Sequence, residues 1–317
     1  MRKFAFLLPF LLAPLAAFSQ ALLARPVNFI VEYAAGSGAD QLARVIADSV
    51  NRNTGATFVM KNMPGALGTI GASALVRSPA DGYTIGICSS SVNSIAPSVL
   101  KSVPYDTVHD FTFIEPLVAY TYVIVAPPGV GTDSLDALLK LAASKPNALS
   151  YAYANATAQV LSAALAKELD VKAMPVPYKT SQESLTDISQ NRLAFGITDM
   201  GVTAPMVRGG RVKALAVLAS QRSASLPEVP TLGELGKPSI SVVAWAGVCG
   251  PKNMAPEAAA WLRAQIHKAR SEPAMQEKYK LLGLDPLELG STSFTDFVVA
   301  QSKFWSAAAR DAGIKPE

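Results

Sequence analysis

The chain contains few of the residues that bind metal clusters or cross-link small folds. Its 317 residues include only two cysteines, Cys88 and Cys249, and two histidines. Zinc ribbons, iron–sulfur clusters and disulfide scaffolds need more thiols or imidazoles than this, so the sequence excludes those classes. Both cysteines lie in apolar, strand-like segments, and the sequence leaves open whether they form a disulfide or stay as buried thiols.

Charged residues are scarce as well. They make up 16% of the chain, and 28 Lys and Arg stand against 24 Asp and Glu, which gives a formal net charge of +4. So small an excess excludes a highly basic nucleic-acid-binding protein, and we expect no nucleic-acid partner. Half of the residues are hydrophobic, which supplies enough apolar surface for one large core or two ordinary ones.

The longest apolar run lies at the amino terminus, at residues 4–18. It follows Arg2 and Lys3 and precedes Ser19-Gln20-Ala21, a small-x-small sequence typical of a signal-peptidase site. The alternative is an uncleaved membrane anchor, but the run is shorter than the roughly 20 residues that a spanning helix needs. We therefore predict that residues 1–21 are a cleaved signal peptide and that the mature protein is exported.

From residue 27 onward, short apolar segments alternate with amphipathic ones, which is typical of an α/β sheet built from crossover units. The first unit is a strand at residues 27–33, a glycine-bearing loop at 34–40, and a helix with apolar residues at i, i+3, i+4 and i+8. Strands are also predicted at residues 122–126 and 241–248, and helices are predicted to begin at Ser134 and, by capping-box spacing, at Thr180 with Glu183 and at Ser293 with Asp296. Residues 149–169 repeat the order of the first unit. Two such blocks in a chain of this length predict two lobes, with loops at the carboxyl ends of their strands lining a cleft between them.

Three polar loops follow predicted strands, at residues 36–40, 89–94 and 155–157. Backbone N–H groups of the first loop, at a helix N-terminus, can bind an anion because the helix dipole favours negative charge there. The alternative is an ordinary N-cap, with Asp40 accepting hydrogen bonds from its own first-turn amides. Asp199, at the end of another strand, is either a helix cap or a partner for an amine, a hydroxyl or a water on a ligand.

Patterns of catalytic residues are weak. Ser37 lacks the outer glycines of the nucleophile elbow Gly-x-Ser-x-Gly. His109 follows a turn-like stretch and His267 lies on a late helix, so we expect both to be solvated or capping histidines. The G-x-x-G-x-x-G spacing at residues 65–71 matches neither a dinucleotide fingerprint nor a phosphate loop and predicts packing and turn glycines. We expect no enzyme, no cofactor and no metal; a secreted hydrolase using Ser37 or a loop aspartate is the competing hypothesis.

The order of motifs resembles the tripartite tricarboxylate transporter receptor family, also called the Bug proteins, along nearly the whole mature chain. The most characteristic stretch runs from Asn62 to Gly71 as Asn-Met-Pro-Gly-Ala-Leu-Gly-Thr-Ile-Gly. The other matches, in chain order, are Arg25-Pro26, the loop at 34–40, Pro79-Ala80-Asp81-Gly82-Tyr83-Thr84, Val176-Pro177-Tyr178-Lys179, Gly209-Gly210-Arg211-Val212-Lys213-Ala214-Leu215-Ala216-Val217 and Leu226-Pro227-Glu228-Val229-Pro230-Thr231.

The resemblance implies a type II-like periplasmic binding protein, an α/β fold of two lobes that are each a mixed sheet flanked by helices and are joined by crossing strands. Lobe 1 would comprise residues 22–118 and 226–317, and lobe 2 residues 119–225. The implied function is a monomeric periplasmic receptor that closes on a small organic carboxylate and delivers it to the membrane permease subunits of a tripartite tricarboxylate transporter. An orphan sensor of the same fold is the alternative, and the identity of the carboxylate stays open.

Family members hold a ligand carboxylate through the first glycine loop and a facing loop of the second lobe. Carried over by position, the implied ligand-binding residues are Ala35, Gly36, Ser37, Gly38, Ala39, Asp40, Ser89, Ser90, Tyr153, Asn155, Ala156, Thr157 and Asp199. The chain departs from the family pattern at Ala34 and Ala35, which replace two prolines, at Ala39, which replaces a threonine, and at Ala154-Asn155-Ala156-Thr157, which replaces Gly-Ser-x-Gly. This less polar loop beside Tyr33 and Trp245 leads to the hypothesis that the ligand is an aromatic or otherwise hydrophobic carboxylate.

Overall fold

The computed structural model of the protein describes residues 25–129, 133–145, 149–237 and 244–316. The predicted signal peptide at residues 1–21 and the start of the strand predicted at 241–248 lie outside these ranges. The predicted two-lobed α/β architecture is confirmed, because the described residues form two mixed sheets, of six and five strands, with helices packed against them.

The sheet of the first lobe contains the first unit of the chain. Its strands, in spatial order, are Phe58–Asn62 (β2), Val27–Val31 (β1), Thr84–Ser89 (β3), Ala244–Pro251 (β10), Phe111–Tyr120 (β4) and Leu284–Pro286 (β11). Strand β1 is parallel to its neighbours β2 and β3, whereas β10 is antiparallel to β3 and β4. Because β1 and β3 point the same way, the loops that follow them open at one edge of the sheet, where ligands bind in α/β folds.

The sheet of the second lobe repeats this arrangement. Its strands, in spatial order, are Ala173–Pro177 (β7), Leu149–Tyr153 (β6), Phe195–Asp199 (β8), Tyr122–Ala126 (β5) and Lys213–Val217 (β9). Strand β6 is parallel to both β7 and β8, so the loops after these three strands also share one edge.

Capping side chains mark the start of several helices. In chain order, the described α-helices are Gly38–Thr54 (α1), Thr69–Val76 (α2), Ala96–Val99 (α3), Leu135–Ser144 (α4), Ala156–Glu168 (α5), Ser181–Ser189 (α6), Met200–Arg208 (α7), Pro256–Arg270 (α8), Pro273–Leu282 (α9) and Phe294–Asp311 (α10). The caps predicted at Ser134, Thr180 and Ser293 are confirmed, since each side-chain oxygen accepts from the amide three residues later. None of the helices in the described ranges is long and apolar enough to cross a bilayer.

The two lobes are connected at several points. Only Thr121 separates β4 of the first sheet from β5 of the second, and the chain returns between β9 and β10. The last helix, α10, packs on both lobes, because Phe294 lies in a core beside the first sheet and Trp305 lies in the core of the second. Burying an indole of about 200 Å² stabilises such packing by roughly 5 kcal/mol. Because this helix packs on both lobes, the residue ranges assigned to each lobe stay a prediction.

The prediction of a loop at residues 89–94 is wrong. A buried π-helix, Ser91–Ile95, follows β3 directly. Asn93 tolerates burial because both ends of its side-chain amide are hydrogen bonded: Oδ1 accepts from the Ser89 amide at 3.1 Å, and Nδ2 donates to the Thr107 carbonyl at 3.0 Å. The polar run in the sequence predicted a loop, whereas the contact with Thr107 comes from the tertiary fold.

The glycines of residues 65–71 serve packing and turns, as predicted. Gly68 has a φ of +97° at the start of α2, a conformation that favours glycine. A Cβ on Gly71 would lie 2.9 Å from the Cα of Glu32, so only glycine allows α2 to approach β1 this closely. The tight fit places Glu32 and Tyr33, at the end of β1, against this helix.

Cys88 and Cys249 lie on the neighbouring strands β3 and β10 as free, buried thiols, and burial raises the pKa of Cys88. The side chains of His109 and His267 are exposed, as predicted, and their Nδ1 atoms lie 3.1 Å from Asp106 and 2.8 Å from Glu115. The described residues contain no group of three or more His, Cys, Asp or Glu placed to hold a metal ion.

Candidate functional site

A small cavity lies between the two sheets, at the carboxyl ends of β1 and β3 on one side and of β6, β7 and β8 on the other. Its volume is about 60 Å³. Residues from both lobes line it: Tyr33, Ala34, Ser37, Gly38, Ala39, Ser89, Ser90, Ser91, Tyr120, Tyr122, Ala154, Asn155, Thr157, Lys179, Thr180, Ser181, Gln182, Asp199, Ala244 and Trp245. The loops predicted to form a cleft are therefore brought together.

The N-terminus of helix α1 forms one wall. Ser37 caps this helix, and its Oγ accepts from the Asp40 amide at 3.2 Å. Gly38 and Ala39 follow it along the cavity. The first-turn amides of α1 are thus close to the cavity, where the helix dipole favours an anion.

Asp40 was expected to contact ligand, but it is not among the lining residues. Its carboxylate accepts from the Gly36 amide at 2.8 Å, from Arg44 Nε at 2.9 Å and from Asn62 Nδ2 at 2.9 Å. Although burial opposes it, these donors hold the pKa of Asp40 below its usual value. The carboxylate is occupied in shaping the loop. The capping alternative does not describe it either, because Ser37 and not Asp40 accepts from a first-turn amide. Ala35 and Gly36 also lie outside the cavity lining.

The serine segment after β3 forms the floor beside Trp245. The main-chain N–H of Trp245 donates to Ser90 Oγ at 2.7 Å, which fixes the Ser90 side chain. The indole is 1% exposed, and its Nε1 donor has no partner among the described residues. Ser91, which belongs to the polar run predicted at 89–94 but was not among the predicted ligand-binding residues, also lines the cavity.

The N-terminus of helix α5 forms the opposing wall. Asn155 caps it, accepting from the Ala158 amide at 2.8 Å and from the Tyr122 hydroxyl at 3.3 Å. Thr157 lines the cavity, whereas Tyr153 and Ala156 are buried behind it. Two helix N-termini, one from each lobe, therefore meet at this space, and both favour negative charge.

The lobes touch across the cavity. Gln182 Nε2 donates to the Gly36 carbonyl at 2.9 Å, and the hydroxyls of Ser91 and Thr157 are 3.1 Å apart. A Cβ on Gly38 would lie 2.9 Å from Asp199 Oδ1 of the other lobe. These contacts describe a closed arrangement, in which the two walls are in hydrogen-bonding range.

Burial disfavours the charged forms of the phenols and of the carboxyl group that line the cavity. It raises the pKa of Tyr33 to about 12, and it raises the pKa values of Tyr120 and Tyr122 as well. The phenols are thus hydrogen-bond donors at neutral pH. Burial also raises the pKa of Asp199, which caps helix α7. Among the described lining residues Lys179 is the single cation, and its side chain is exposed.

Residues 179–182 form a wall of the cavity that was not predicted from the sequence. These residues follow β7, whose sequence Ala-Met-Pro-Val-Pro lacks the alternation typical of a strand and contains two prolines. Without that strand, the loop could not be placed at the carboxyl edge of a sheet. The capping box at Thr180 and Glu183 was the available signal, since a helix start after any strand of a parallel sheet lies at that edge. Tyr120 and Tyr122, at the crossing between the lobes, had no local signal.

Comparisons with known proteins agree with this architecture. A family model described as "Tripartite tricarboxylate transporter family receptor" matches residues 42–314. Protein BugT of Bordetella pertussis (strain Tohama I) is 30% identical over 295 residues, which cover 92% of this chain and 90% of BugT. The solved structure of the periplasmic binding protein BugD is 27% identical with a TM-score of 0.86, covering 93% of this chain and 99% of BugD. An R. palustris protein solved with adipate is 27% identical with a TM-score of 0.88 and the same coverages.

Proposed function

The chain belongs to the tripartite tricarboxylate transporter receptor family, and from this membership we propose that it is an extracytoplasmic receptor that binds a small organic carboxylate between its lobes. The observation that carries the proposal is the meeting of two helix N-termini at one closed cavity. Ser37, Gly38 and Ala39 lie at the start of one helix, and Asn155 and Thr157 at the start of the other. Backbone amides and hydroxyls there can hold a carboxylate without a buried arginine or lysine.

Relatives support a carboxylate as the ligand. The R. palustris protein of the same fold was solved with adipate, a dicarboxylate. We assign ligand contact to the predicted residues that line the cavity: Tyr33, Ser37, Gly38, Ala39, Ser89, Ser90, Asn155, Thr157, Asp199 and Trp245. Lobe closure would then report occupancy, because a ligand that bridges the walls stabilises the closed state by its higher affinity for that state. No chemistry on the ligand is proposed.

Calorimetric titration of a panel of acids and their neutral analogues tests this function. We expect at least one small carboxylate to bind and its amide to bind at least about 10-fold more weakly, because the helix N-termini favour the charge. Asn155→Asp should weaken binding by on the order of 100-fold, since a second negative charge about 5 Å from the ligand costs roughly 3 kcal/mol. Aspartate caps helices as well as asparagine does, so the fold is kept.

The matched control is Ser134→Asp, which places the same charge at the N-cap of α4, outside the cavity lining. It should leave affinity unchanged. The proposal would be contradicted if acids and their amides bound equally. It would also be contradicted, in favour of a hydrolase, if the protein turned over an amide or ester and Ser37→Ala abolished this turnover.

The cellular setting belongs to the same proposal. We propose that residues 1–21 are removed on export to the periplasm and that a monomeric receptor delivers its ligand to permease subunits in the membrane. Mass spectrometry of protein recovered from the periplasm should give a chain beginning at Leu22. Cross-linking in cells should capture permease subunits when ligand is present. A chain that keeps Met1 contradicts export by cleavage. Capture of a signalling receptor instead of permease subunits supports the sensor alternative.

A further inference from the structure

A groove separate from the ligand cavity lies between helix α10 and the chain that connects β3 to β4. Its volume is about 490 Å³, and it shares no lining residue with the cavity. Two cations line it, and no acidic residue is among its described lining residues. The rest of its polar lining is hydroxyl groups, those of Ser94, Ser98, Thr107, Ser302 and Ser306. The groove therefore offers positive charge and hydrogen-bond donors.

The two cations are Lys303 and Arg310, both exposed. They are seven residues apart on α10, so they lie on the same face of the helix, about 10 Å apart along its axis. Neither has a carboxylate of the described residues within salt-bridge distance, and this includes Asp106 and Asp311, the acids adjacent in sequence to groove residues. The described chain therefore leaves the charge of the groove unpaired.

Ser94 is an independent indication that the groove binds an acceptor. It is 3% exposed, and its Oγ has no hydrogen-bond partner among the described residues. Buried hydroxyl groups are normally hydrogen bonded, because an unsatisfied one is unfavourable. Ser94 borders the groove, so an acceptor oxygen placed there can supply the missing bond.

A short helix reaches from the groove to the ligand cavity. Ser91, the first residue of the π-helix Ser91–Ile95, lines the cavity, and its hydroxyl meets the second lobe in the closed arrangement. Ser94, three residues later, lines the groove. Between them, the Asn93 carbonyl accepts from Ser302 Oγ of α10 at 3.1 Å. A partner bound in the groove would therefore contact an element on which the lobes close.

We propose that this groove is the surface on which an acidic segment of the membrane permease docks, with its carboxylates bound by Lys303, Arg310 and the hydroxyl groups. The inference rests on the proposed function and gives delivery to the permease a place on the receptor. A partner that takes ligand only from a loaded receptor has to distinguish the closed state, and the π-helix gives this surface a contact with that state.

The spacing of the cations favours a protein segment. Two acidic side chains three residues apart in an extended segment are about 10 Å apart, which matches the spacing along α10. A small anion such as phosphate would need both long side chains to converge on one point. A flat layer of phospholipid headgroups would meet the exposed cations but not the recessed Ser94.

Cross-linking from inside the groove tests the location. The photo-cross-linker benzoylphenylalanine replaces Ser306, which is exposed in the groove, in the full chain produced in its native host. We expect it to capture a permease subunit through a peptide with at least two Asp or Glu residues, and to capture more when the acid is present. The control position is Ala274, exposed on α9 outside the groove, which should capture no permease.

Charge reversal tests the chemistry. Lys303→Glu combined with Arg310→Glu should lower the rate of acid uptake by cells at least about 10-fold, because two attractions become repulsions. Calorimetry should give an unchanged affinity for the acid, since neither residue lines the cavity. The matched control, Arg77→Glu with Lys140→Glu, makes the same change of charge at two exposed residues outside the groove and should leave uptake and affinity unchanged. Thermal melts check that both proteins fold.

Several results overturn the inference while the receptor function stands. The first is undiminished uptake with the charge-reversed protein. The second is cross-linking at Ser306 that captures no permease subunit, or that captures phospholipid, which would make a membrane the occupant. The third is calorimetric binding of inorganic phosphate that the charge reversal abolishes, which would assign the groove to a small anion. If no carboxylate binds in calorimetry, the proposed function fails and the inference fails with it.

Discussion

Replacing Gly38 with alanine should weaken ligand binding without lowering the stability of the ligand-free protein. Gly38 is the first residue of α1 and has an ordinary helical backbone, so alanine suits its conformation and favours the helix by up to about 1 kcal/mol. In the closed arrangement, however, the new Cβ would lie 2.9 Å from Asp199 Oδ1 and 3.6 Å from the Tyr120 ring. If Asp199 turned away, it would lose the contact at 3.4 Å that the same oxygen accepts from the Val202 amide.

The size of the effect follows from the contacts that closure makes. If the lobes stop short of the closed position, the Gln182–Gly36 bond at 2.9 Å and the Ser91–Thr157 contact at 3.1 Å are lost. At about 1 kcal/mol each, this loss weakens binding by roughly 30-fold. Calorimetry with the tightest acid of the panel measures the affinity, and a thermal melt of the ligand-free protein should show no loss of stability.

Gly233→Ala is the matched control. A Cβ at Gly233 would meet only Thr231 Oγ1, at 3.8 Å, and the residue lies outside the cavity lining. Its affinity should equal that of the unmodified protein. If Gly38→Ala bound the acid as tightly as the control does, the closed arrangement would not be the state that binds ligand.

Three further predictions concern buried groups. Burial raises the pKa of Glu32 from 4.5 to about 8, so over this range the folded state keeps a proton that the unfolded state loses. The free energy of unfolding should therefore fall as pH rises from about 5 to about 8. In thermal melts, Glu32→Gln should reduce this pH dependence, and an unchanged slope would contradict the assignment. Cys88 and Cys249 should not react with a thiol reagent in the native protein, and the denatured protein should give two reactive thiols per chain. If the denatured protein gave no reactive thiol, the two cysteines would form a disulfide. Trp245 lines the cavity, so ligand should alter its fluorescence, and a change of equal size in Trp245→Phe would place the ligand elsewhere.

The parts of the fold that local chemistry determines could be predicted from the sequence. The glycine loop, the helix that follows it and the capping residues Ser134, Thr180 and Ser293 depend on neighbours a few positions away. For strands with a clear apolar pattern, such as β5 and β6, the predicted limits are the same as those in the structure. Two such blocks were enough to predict two lobes and a cleft.

The rest depends on contacts between distant segments. The serine run after β3 reads as a loop, and contacts from elsewhere in the chain, such as those of Thr107 and Trp245, explain why it is a buried helix. Asp40 has the residue type of a ligand contact, yet Arg44 and Asn62 occupy it. Gln182 gave no signal at all, because its role is to bridge to Gly36 across the cavity. Sequence patterns therefore predicted the lobes better than the surfaces that they turn toward each other.

A crystal structure of the mature protein with the tightest acid of the panel tests the central claim most directly. The account predicts the carboxylate within hydrogen-bonding distance of main-chain amides at the start of both α1 and α5, with the lobes closed around it. An acid bound outside the space between the lobes, or held there chiefly through Lys179 with its carboxylate turned away from both helices, would contradict it.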